Sequence, residues 1–194
     1  MNKELIIRSS SEAVDFALLK DGKLIELHKE QETSNFQVGD IFIAKIRKPV
    51  AGLNAAFVNV GYEKDAFLHY HDLGPNLASQ LKFIKLVSAG KIKDFSLKNF
   101  QFEKEIDKDG TITDVLNANQ SVLVQVVKEP ISTKGPRISA ELSLAGRFIV
   151  LVPFSDRVSI SQKIEDKKEK DRLKKLVQSI KPKGFGVIVR TVAE

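Results

Sequence analysis

The sequence contains no cysteine, which excludes disulfide bonds and any zinc site built on thiolates. This absence fits a reducing compartment, and we expect a cytoplasmic protein. No segment approaches the run of about 18 consecutive apolar residues that a membrane-spanning helix requires. The N-terminal stretch MNKELIIRSSSE also lacks the long apolar segment and small-residue cleavage site of a secretory signal. We therefore expect no membrane partner.

Histidines are few, and their positions do not predict a catalytic or metal site. The sequence has three, His28, His69 and His71. His69 and His71 would share one face of a strand, as two metal ligands do, but no third ligand follows at a telling spacing. A polar strand end is the favoured interpretation. Ser-His-Asp arrangements, glycine-rich phosphate loops and HExxH motifs are also absent, so no residue of this chain is predicted to be catalytic.

The chain is rich in basic charge. Lysine and arginine number 31 against 25 acidic residues, which gives a net charge of +6 and a pI near 9.4. A basic surface attracts nucleic acid or anionic membranes, and the charge alone favours nucleic acid only modestly. With 194 residues, of which 42% are hydrophobic, the chain is long enough for one to three compact modules.

The first segment predicts strands that need a partner. The stretches LIIRSS and VDFALLKDGKLIEL indicate strands, with Asp21-Gly22 as the turn of a hairpin. A hairpin and one further strand bury too little surface to fold alone, so this piece must pack on other sequence.

Short strands with glycine turns follow, and they predict a small barrel. In FQVGDIFIAKIRKP, alternation turns Phe42, Ala44 and Ile46 inward, while Lys45 and Arg47 face outward. The run SVLVQVVKEP supplies a further apolar strand.

Two phenylalanines occupy the hairpin GLNAAFVNVGYEKDAFLHY at residues 52–70. Alternation along a strand from Leu53 to Val60 places Phe57 on the less apolar face, and Phe67 shares a side with polar groups on the returning strand. Aromatic faces and cations together are what single-stranded nucleic acid needs. The neighbouring cations are Lys45, Arg47 and Lys64. A one-residue slip would instead bury both rings in the core, and alternation alone leaves the two interpretations about even.

Residues 72–118 interrupt the predicted barrel as an insertion. The stretch opens with a Gly-Pro-Asn turn, continues through LASQLKFIKLVSAGKIKDF and ends in the acidic turn DKDGTITD. We expect it to be partly helical and to lie on the surface. Its lysines favour a solvated face over a dedicated binding element. They are Lys82, Lys85, Lys91, Lys93 and Lys98.

The last third changes to a mixed α and β pattern. Strands are predicted at RFIVLVP, RVSIS and GFGVIVRT, and EDKKEKDRLKKLVQSIK predicts a helix. Four apolar residues recur on one face of that helix: Leu173, Leu176, Val177 and Ile180. The chain stops soon after the last strand, so we expect it to be a piece of a longer protein.

The motifs together resemble a known family. GLNAAFVNVGYEKDAFLHY, KEPISTKGPRISAELSLAGRFIVLVP, ISQKIE and GFGVIVRTVAE are similar, in order and spacing, to the N-terminal half of bacterial ribonuclease E/G endoribonucleases. The resemblance covers most of the chain outside the insertion. It implies an α+β fold in three parts. These are strands of an incomplete ribonuclease-H-like subdomain at 1–35, an OB-fold RNA-binding β-barrel domain at 36–128, and a small 5′-phosphate sensor module at 129–194.

The resemblance also implies which residues bind RNA. Phe57 and Phe67 match the family's stacking aromatics, and Lys128 and Lys134 match basic residues near the RNA path.

A second set of matched positions implies a site for the RNA 5′ phosphate. Arg190 and Thr191 match the pair that grips it, while Gly146 and Val150 match positions that complete the pocket. A guanidinium binds phosphate bidentately, and a hydroxyl adds a donor. Without the resemblance, a surface charge on an edge strand would be the preferred interpretation of Arg190. Where many relatives carry two arginines after Ile-Ser, this chain has Gln162-Lys163, which keeps one cation.

Cofactors are expected outside this chain. In the family, magnesium-binding aspartates belong to a later nuclease domain and zinc-linking cysteines come later still. The resemblance therefore implies magnesium, with zinc, for the full-length enzyme and none for these residues. Metal-dependent hydrolysis needs carboxylates that hold the ion, so we expect this chain not to cleave RNA.

The resemblance implies a role within an endoribonuclease of RNA processing and decay. The chain would bind single-stranded RNA, preferably with a 5′ monophosphate, and the full-length form would be a homo-oligomer. Two alternatives remain open. One is a free-standing OB-fold protein that binds RNA or acts in translation, and the other is a scaffold for RNA decay that docks through the insertion.

Overall fold

The chain divides into two units, Met1–Asn35 and Phe36–Glu194. The structure is a computed structural model, and it describes residues 2–10, 13–31, 36–92, 96–131 and 134–194. None of the helices within those ranges is long and apolar enough to cross a membrane.

The described part of the first unit is an antiparallel sheet with the strand order β1-β2-β3. The strands are β1 (Lys3–Ser9), β2 (Ala13–Lys20) and β3 (Lys23–Gln31). The hairpin predicted at Asp21-Gly22 is confirmed, because Lys20 pairs with Lys23 and the two turn residues have φ angles of 51° and 75°. Two successive positive φ angles are typical of the type I′ turn, whose twist suits a hairpin.

This first sheet carries apolar side chains on both faces. Side chains alternate along a strand, so Leu5 and Ile7 of β1 lie on one face and Ile6 lies on the other. All three are more than half exposed, at 60%, 57% and 52%. Leu24 and Leu27 of β3 are exposed as well. A sheet that is apolar on both faces is typical of one that other elements cover on both sides.

The second unit begins with a closed barrel. Its strands are β4 (Ile41–Val50), β5 (Ala55–Asn59), β6 (Ala66–His69), β7 (Ser121–Lys128) and β8 (Arg137–Ser139). They close in the order β4-β5-β6-β8-β7, and β6 runs parallel to β8. The chain is thus a mixed α+β protein whose closed five-stranded barrel is compatible with an OB fold.

Alternating side chains fill this barrel as predicted. Ala44 and Ile46 of β4 are 2% and 1% exposed, whereas Lys45 and Arg47 are exposed. The interior side chains of the neighbouring strands are completely buried: Ala56, Val58, Ala66, Leu68, Val122 and Val124. The side-chain parity predicted for the hairpin at 52–70 is therefore confirmed, and the slipped register is wrong.

The insertion contains two helices, α1 (Leu77–Ser88) and α2 (Ile112–Val115), so its partly helical character is confirmed. Its predicted surface position is wrong. Four of its apolar residues belong to the barrel core: Leu73, Leu77, Ile112 and Leu116. An amphipathic helix packs its apolar side inward even when lysines occupy the other side. The scattered lysines suggested a surface segment, so the apolar side was not recognised in the sequence.

Polar residues of α1 also have internal partners. Gln80, 2% exposed, donates to the carbonyl of Ala140 at 3.0 Å. The ammonium of Lys82 lies 2.7 Å from Glu103 and 5.5 Å from the centre of the Phe100 ring. The side chain of Lys82 is 34% exposed, so this lysine is partly solvated. Three others are exposed, namely Lys85, Lys91 and Lys98, and Lys93 lies outside the described residues.

A second sheet follows the barrel. Its elements are β9 (Leu144–Ala145), β10 (Ile149–Pro153), β11 (Val158–Ile160), α3 (Lys167–Ile180) and β12 (Phe185–Val189). The strand order is β11-β12-β10-β9, and α3 connects the parallel strands β11 and β12.

The strands and the helix predicted for this region are confirmed, but the packed face of α3 is narrower than its periodicity predicted. Leu173 and Val177 are buried against the sheet, at 4% and 5% exposure. Leu176 and Ile180 are 46% and 68% exposed.

The insertion joins the barrel to this second sheet. The ring of Phe83 on α1 lies 5.5 Å from the ring of Phe100 in the insertion and 5.5 Å from that of Phe154, which follows β10. Arg157 pairs with Glu105 of the insertion at 2.6 Å. These contacts fix the second sheet against the helix that packs on the barrel.

A glycine at this junction provides a test of its importance. Gly184 has a φ angle of +84°, and the Cβ that alanine adds would overlap the Cβ of Leu97 in the insertion. We expect Gly184→Ala to lower the free energy of unfolding by about 1–3 kcal/mol, because the backbone strain and the overlap add. Urea unfolding followed by circular dichroism measures the change.

Gly52→Ala is the matched control. No atom lies within 4 Å of the position that its added Cβ would occupy, and its φ angle is not positive, so we expect a nearly unchanged midpoint. Equal midpoints for the Gly184 variant and the parent chain would contradict the close packing at this junction.

Candidate nucleic-acid interface and phosphate site

Five outward side chains form a continuous line across the barrel. Lys48 of β4 pairs with Phe57 of β5, which pairs with Phe67 of β6. Phe67 pairs in turn with Arg137 of β8, and Arg137 pairs with Lys128 of β7. Paired residues on neighbouring strands point to the same side of a sheet. We call this set the aromatic–cation row.

Two β-bulges bring the end members of the aromatic–cation row outward. Strict alternation from Ala44 and Ile46 would turn Lys48 into the barrel, but the register of β4 shifts between Ile46 and Lys48. The same shift in β7, between Val126 and Lys128, brings Lys128 to the surface. A bulge inserts one residue and re-aims those that follow it.

The two rings lie together at the centre of the row. Phe57 and Phe67 are half-buried, and their centroids are 6.1 Å apart at an interplanar angle of 69°. This is an edge-to-face arrangement. Both rings are partly exposed, which leaves aromatic surface for a flat partner such as a nucleobase.

His69 continues the aromatic surface along β6. Its ring centroid is 6.4 Å from that of Phe67, and its Nδ1 accepts a hydrogen bond from the amide of His71 at 3.2 Å. Across the described ranges, no cluster of three or more histidine, cysteine or acidic residues is able to hold a metal ion.

A groove of about 780 Å³ lies over the two rings. Lys64, Lys134 and Arg137 line it together with Asp65, whose carboxylate lies 3.0 Å from Arg47. Arg137 is held by Asp72 through a bidentate ion pair, with nitrogen–oxygen distances of 2.9 and 3.1 Å. Within the part of the chain that the structure describes, Lys64 and Lys134 form no ion pair. The groove therefore combines apolar rings with uncompensated positive charge.

The second sheet gathers a different set of residues at one edge. Since β11 and β12 are parallel, their carboxyl ends meet at the same edge. Ser161 directly follows β11, and Arg190 and Thr191 directly follow β12. Ligands of parallel sheets bind outside the carboxyl ends of the strands.

Arg190 is held at this edge by two hydrogen bonds. Its Nη1 donates to the carbonyl of Gly146 at 2.7 Å, and its backbone amide donates to the carbonyl of Phe148 at 2.8 Å. The structure thus brings Arg190, Thr191 and Gly146 together. Val150, the fourth residue predicted for this site, is half-buried on β10 and pairs with Ala145, the residue before Gly146.

Three residues that bear on these surfaces were not predicted. Lys48 belongs to the aromatic–cation row because of the bulge in β4, and Arg137 belongs to it because β8 pairs with β6. Short-range alternation reveals neither feature. Ser161 lies 2.9 Å from Thr191, hydroxyl oxygen to hydroxyl oxygen. The motif ISQKIE contains this serine, but only the parallel pairing of two strands that are distant in sequence places it beside Thr191.

A small closed barrel with partly exposed aromatics flanked by cations is typical of modules that bind nucleic acid. Comparison with known proteins narrows this class. The family model described as "Ribonuclease E/G family" matches residues 143–194. Over its whole length the chain is 32% identical to ribonuclease G of Escherichia coli and 35% identical to ribonuclease E of a Nostoc species. Over 84% of its length it is 36% identical to ribonuclease E of a Synechocystis species.

The chain belongs to the ribonuclease E/G family. It spans 36% of the length of the Escherichia coli ribonuclease G, 24% of the Nostoc ribonuclease E and 20% of the Synechocystis ribonuclease E.

Proposed function

We propose that this chain binds single-stranded RNA and senses its 5′ monophosphate as part of a ribonuclease E/G-type endoribonuclease of RNA processing and decay. The aromatic–cation row is the observation that carries the proposal, because it combines the two chemistries that single-stranded RNA requires. Membership of the ribonuclease E/G family supports the wider role.

Binding on the barrel follows from stacking and charge. Bases stack on Phe57 and Phe67, and the adjacent phosphates meet Lys48 at one end of the row and Lys128 at the other. Each stacked base contributes about 1–3 kcal/mol and tolerates any sequence, because every base has a π face. Lys134, on the groove wall, adds a further cation for the backbone.

Sensing of the 5′ end follows from the chemistry at the edge of the second sheet. The carbonyl of Gly146 takes one N–H group of Arg190 and leaves the rest of the planar fork for a phosphate. Phosphate pairs with guanidinium bidentately, and a neighbouring hydroxyl supplies one more donor. Arg190 and Thr191 thus form the grip, while Gly146 and Val150 complete its wall.

The three parts have separate tasks in this proposal. Residues 1–35 contribute strands to a ribonuclease-H-like subdomain, in which further elements cover both apolar faces of the first sheet. Residues 36–128 form the OB-fold domain with the insertion at 72–118, and β8 of the next segment completes the barrel. Residues 129–194 contain the sensor module.

Hydrolysis is assigned to other parts of the enzyme. Ribonucleases of this family are expected to use magnesium, with zinc as a structural ion, but the described residues offer no cluster able to hold a metal ion and the chain has no cysteine. The residues present do not fit either ion, so no step of cleavage is derived from them.

Stacking on the barrel is tested with the double substitution Phe57→Ala and Phe67→Ala. We expect affinity for a 5′-hydroxyl oligouridine to fall at least tenfold, because two stacking surfaces are lost. Fluorescence anisotropy at two salt concentrations measures the effect, and raising the salt should weaken binding of the parent chain. Phe102→Ala, which removes another partly exposed ring, is the control and should bind normally. Unchanged affinity in the double variant would contradict the stacking role of the two rings.

Sensing of the phosphate is tested by comparing oligonucleotides that differ only in a 5′ monophosphate or a 5′ hydroxyl. We expect the parent chain to prefer the monophosphate, and Arg190→Ala to abolish the preference, since a charge-assisted contact is lost. Arg172→Ala removes an exposed arginine that pairs with Glu169 on α3, so it should retain the preference. A preference that survives Arg190→Ala would reject the assignment.

A further inference from the structure

A hydrogen-bonded chain of groups leads into the proposed phosphate grip from the loop that follows β11. The amide of Lys163 donates to the hydroxyl oxygen of Ser161 at 3.3 Å. The same oxygen lies 2.9 Å from the hydroxyl oxygen of Thr191. The amide of Ser161 donates to the carbonyl of Val189 at 2.9 Å, which holds the serine backbone against β12.

The direction of the hydrogen bond between the two hydroxyls follows from what a phosphate requires. A phosphate dianion accepts hydrogen bonds and donates none, so Thr191 must turn its proton toward the phosphate. Ser161 must then donate its own proton to Thr191. Its oxygen is suited to this, because the amide of Lys163 occupies one of its acceptor positions.

We propose that Ser161 is a positioning residue for 5′-phosphate recognition, acting through Thr191. Its hydroxyl fixes the rotation of the Thr191 hydroxyl so that the Thr191 proton points out of the protein, toward the anion. The inference rests on the proposed function of Arg190 and Thr191 as the grip. It assigns to Ser161 no contact of its own with RNA.

The surroundings favour such an orienting role. Ser161 and Thr191 are both half-buried, so solvent reaches their shared hydrogen bond from a limited side. Without Ser161, no hydroxyl would donate a hydrogen bond to the Thr191 oxygen, and the Thr191 hydroxyl would rotate among its staggered positions. A donor that is already aligned binds its partner more tightly than one that must be ordered on binding.

A double-mutant cycle tests this inference. The preference for 5′-monophosphate over 5′-hydroxyl RNA is measured by anisotropy for the parent chain, Ser161→Ala, Thr191→Val and the double variant. We expect Ser161→Ala to reduce the preference about three- to tenfold, as the loss of one hydrogen bond does, and to leave affinity for 5′-hydroxyl RNA unchanged. In the Thr191→Val background, Ser161→Ala should have no further effect.

Two additional measurements make the outcome decisive. Ser161→Thr retains a hydroxyl at the same position and should restore most of the preference, whereas a thermal melt shows whether Ser161→Ala is folded. If Arg190→Ala abolishes the preference and folded Ser161→Ala leaves it intact, the role of Ser161 is overturned and the proposed function stands. An equal loss on Ser161→Ala in the parent chain and in the Thr191→Val background also overturns it. If the parent chain shows no preference, the proposed function itself fails.

Discussion

The pairing of β5 with β6 is the constraint on which the barrel surface depends. Ala56 and Val58 face Leu68 and Ala66 across this pair, and all four are completely buried. At these positions the core holds only small and medium side chains, and a slip of one residue would place two phenylalanine rings there. Overpacking of that size is strongly destabilising. Phe57 and Phe67 therefore lie on the outer surface of the barrel because the interior positions of β5 and β6 are filled by smaller side chains. The cations of the neighbouring strands lie on the same outer surface.

The patterns that sequence reveals best are those that repeat over short distances. Alternation found the inward and outward faces of β4 and of the hairpin, and a period of 3.6 residues found α3. The bulges in β4 and β7 are single-residue irregularities, and no regular pattern of alternation predicts them. Lys48 was therefore not predicted as a surface cation near the rings, and Lys128 was predicted only from the family resemblance. Ser161 and Arg137 acquire their neighbours through parallel pairings between segments that are far apart in the chain. Such pairings depend on the complete fold.

The insertion was misjudged for a related reason. Its lysines suggested a surface, yet one of them pairs with Glu103 over an aromatic ring, and its apolar residues complete the barrel core. The rings of Phe83 and Phe100 in the insertion also contact the ring of Phe154 beside the second sheet. Its described part links the barrel and the second sheet within one unit.

The parallel crossover from β11 through α3 to β12 makes the proposed recognition of an RNA end depend on one helix. Ser161 and Thr191 are 30 residues apart, and α3 is the whole of the regular structure between β11 and β12. That helix is anchored to the sheet mainly by Leu173 and Val177, while Leu176 and Ile180 remain exposed. Local unfolding generally begins where few apolar contacts are buried, and hydrogen exchange reports it. Opening of α3 would uncover the β11–β12 pair that holds the two hydroxyls together. The proposed end recognition and the proposed RNA binding on the barrel would therefore have different local stabilities within the same chain.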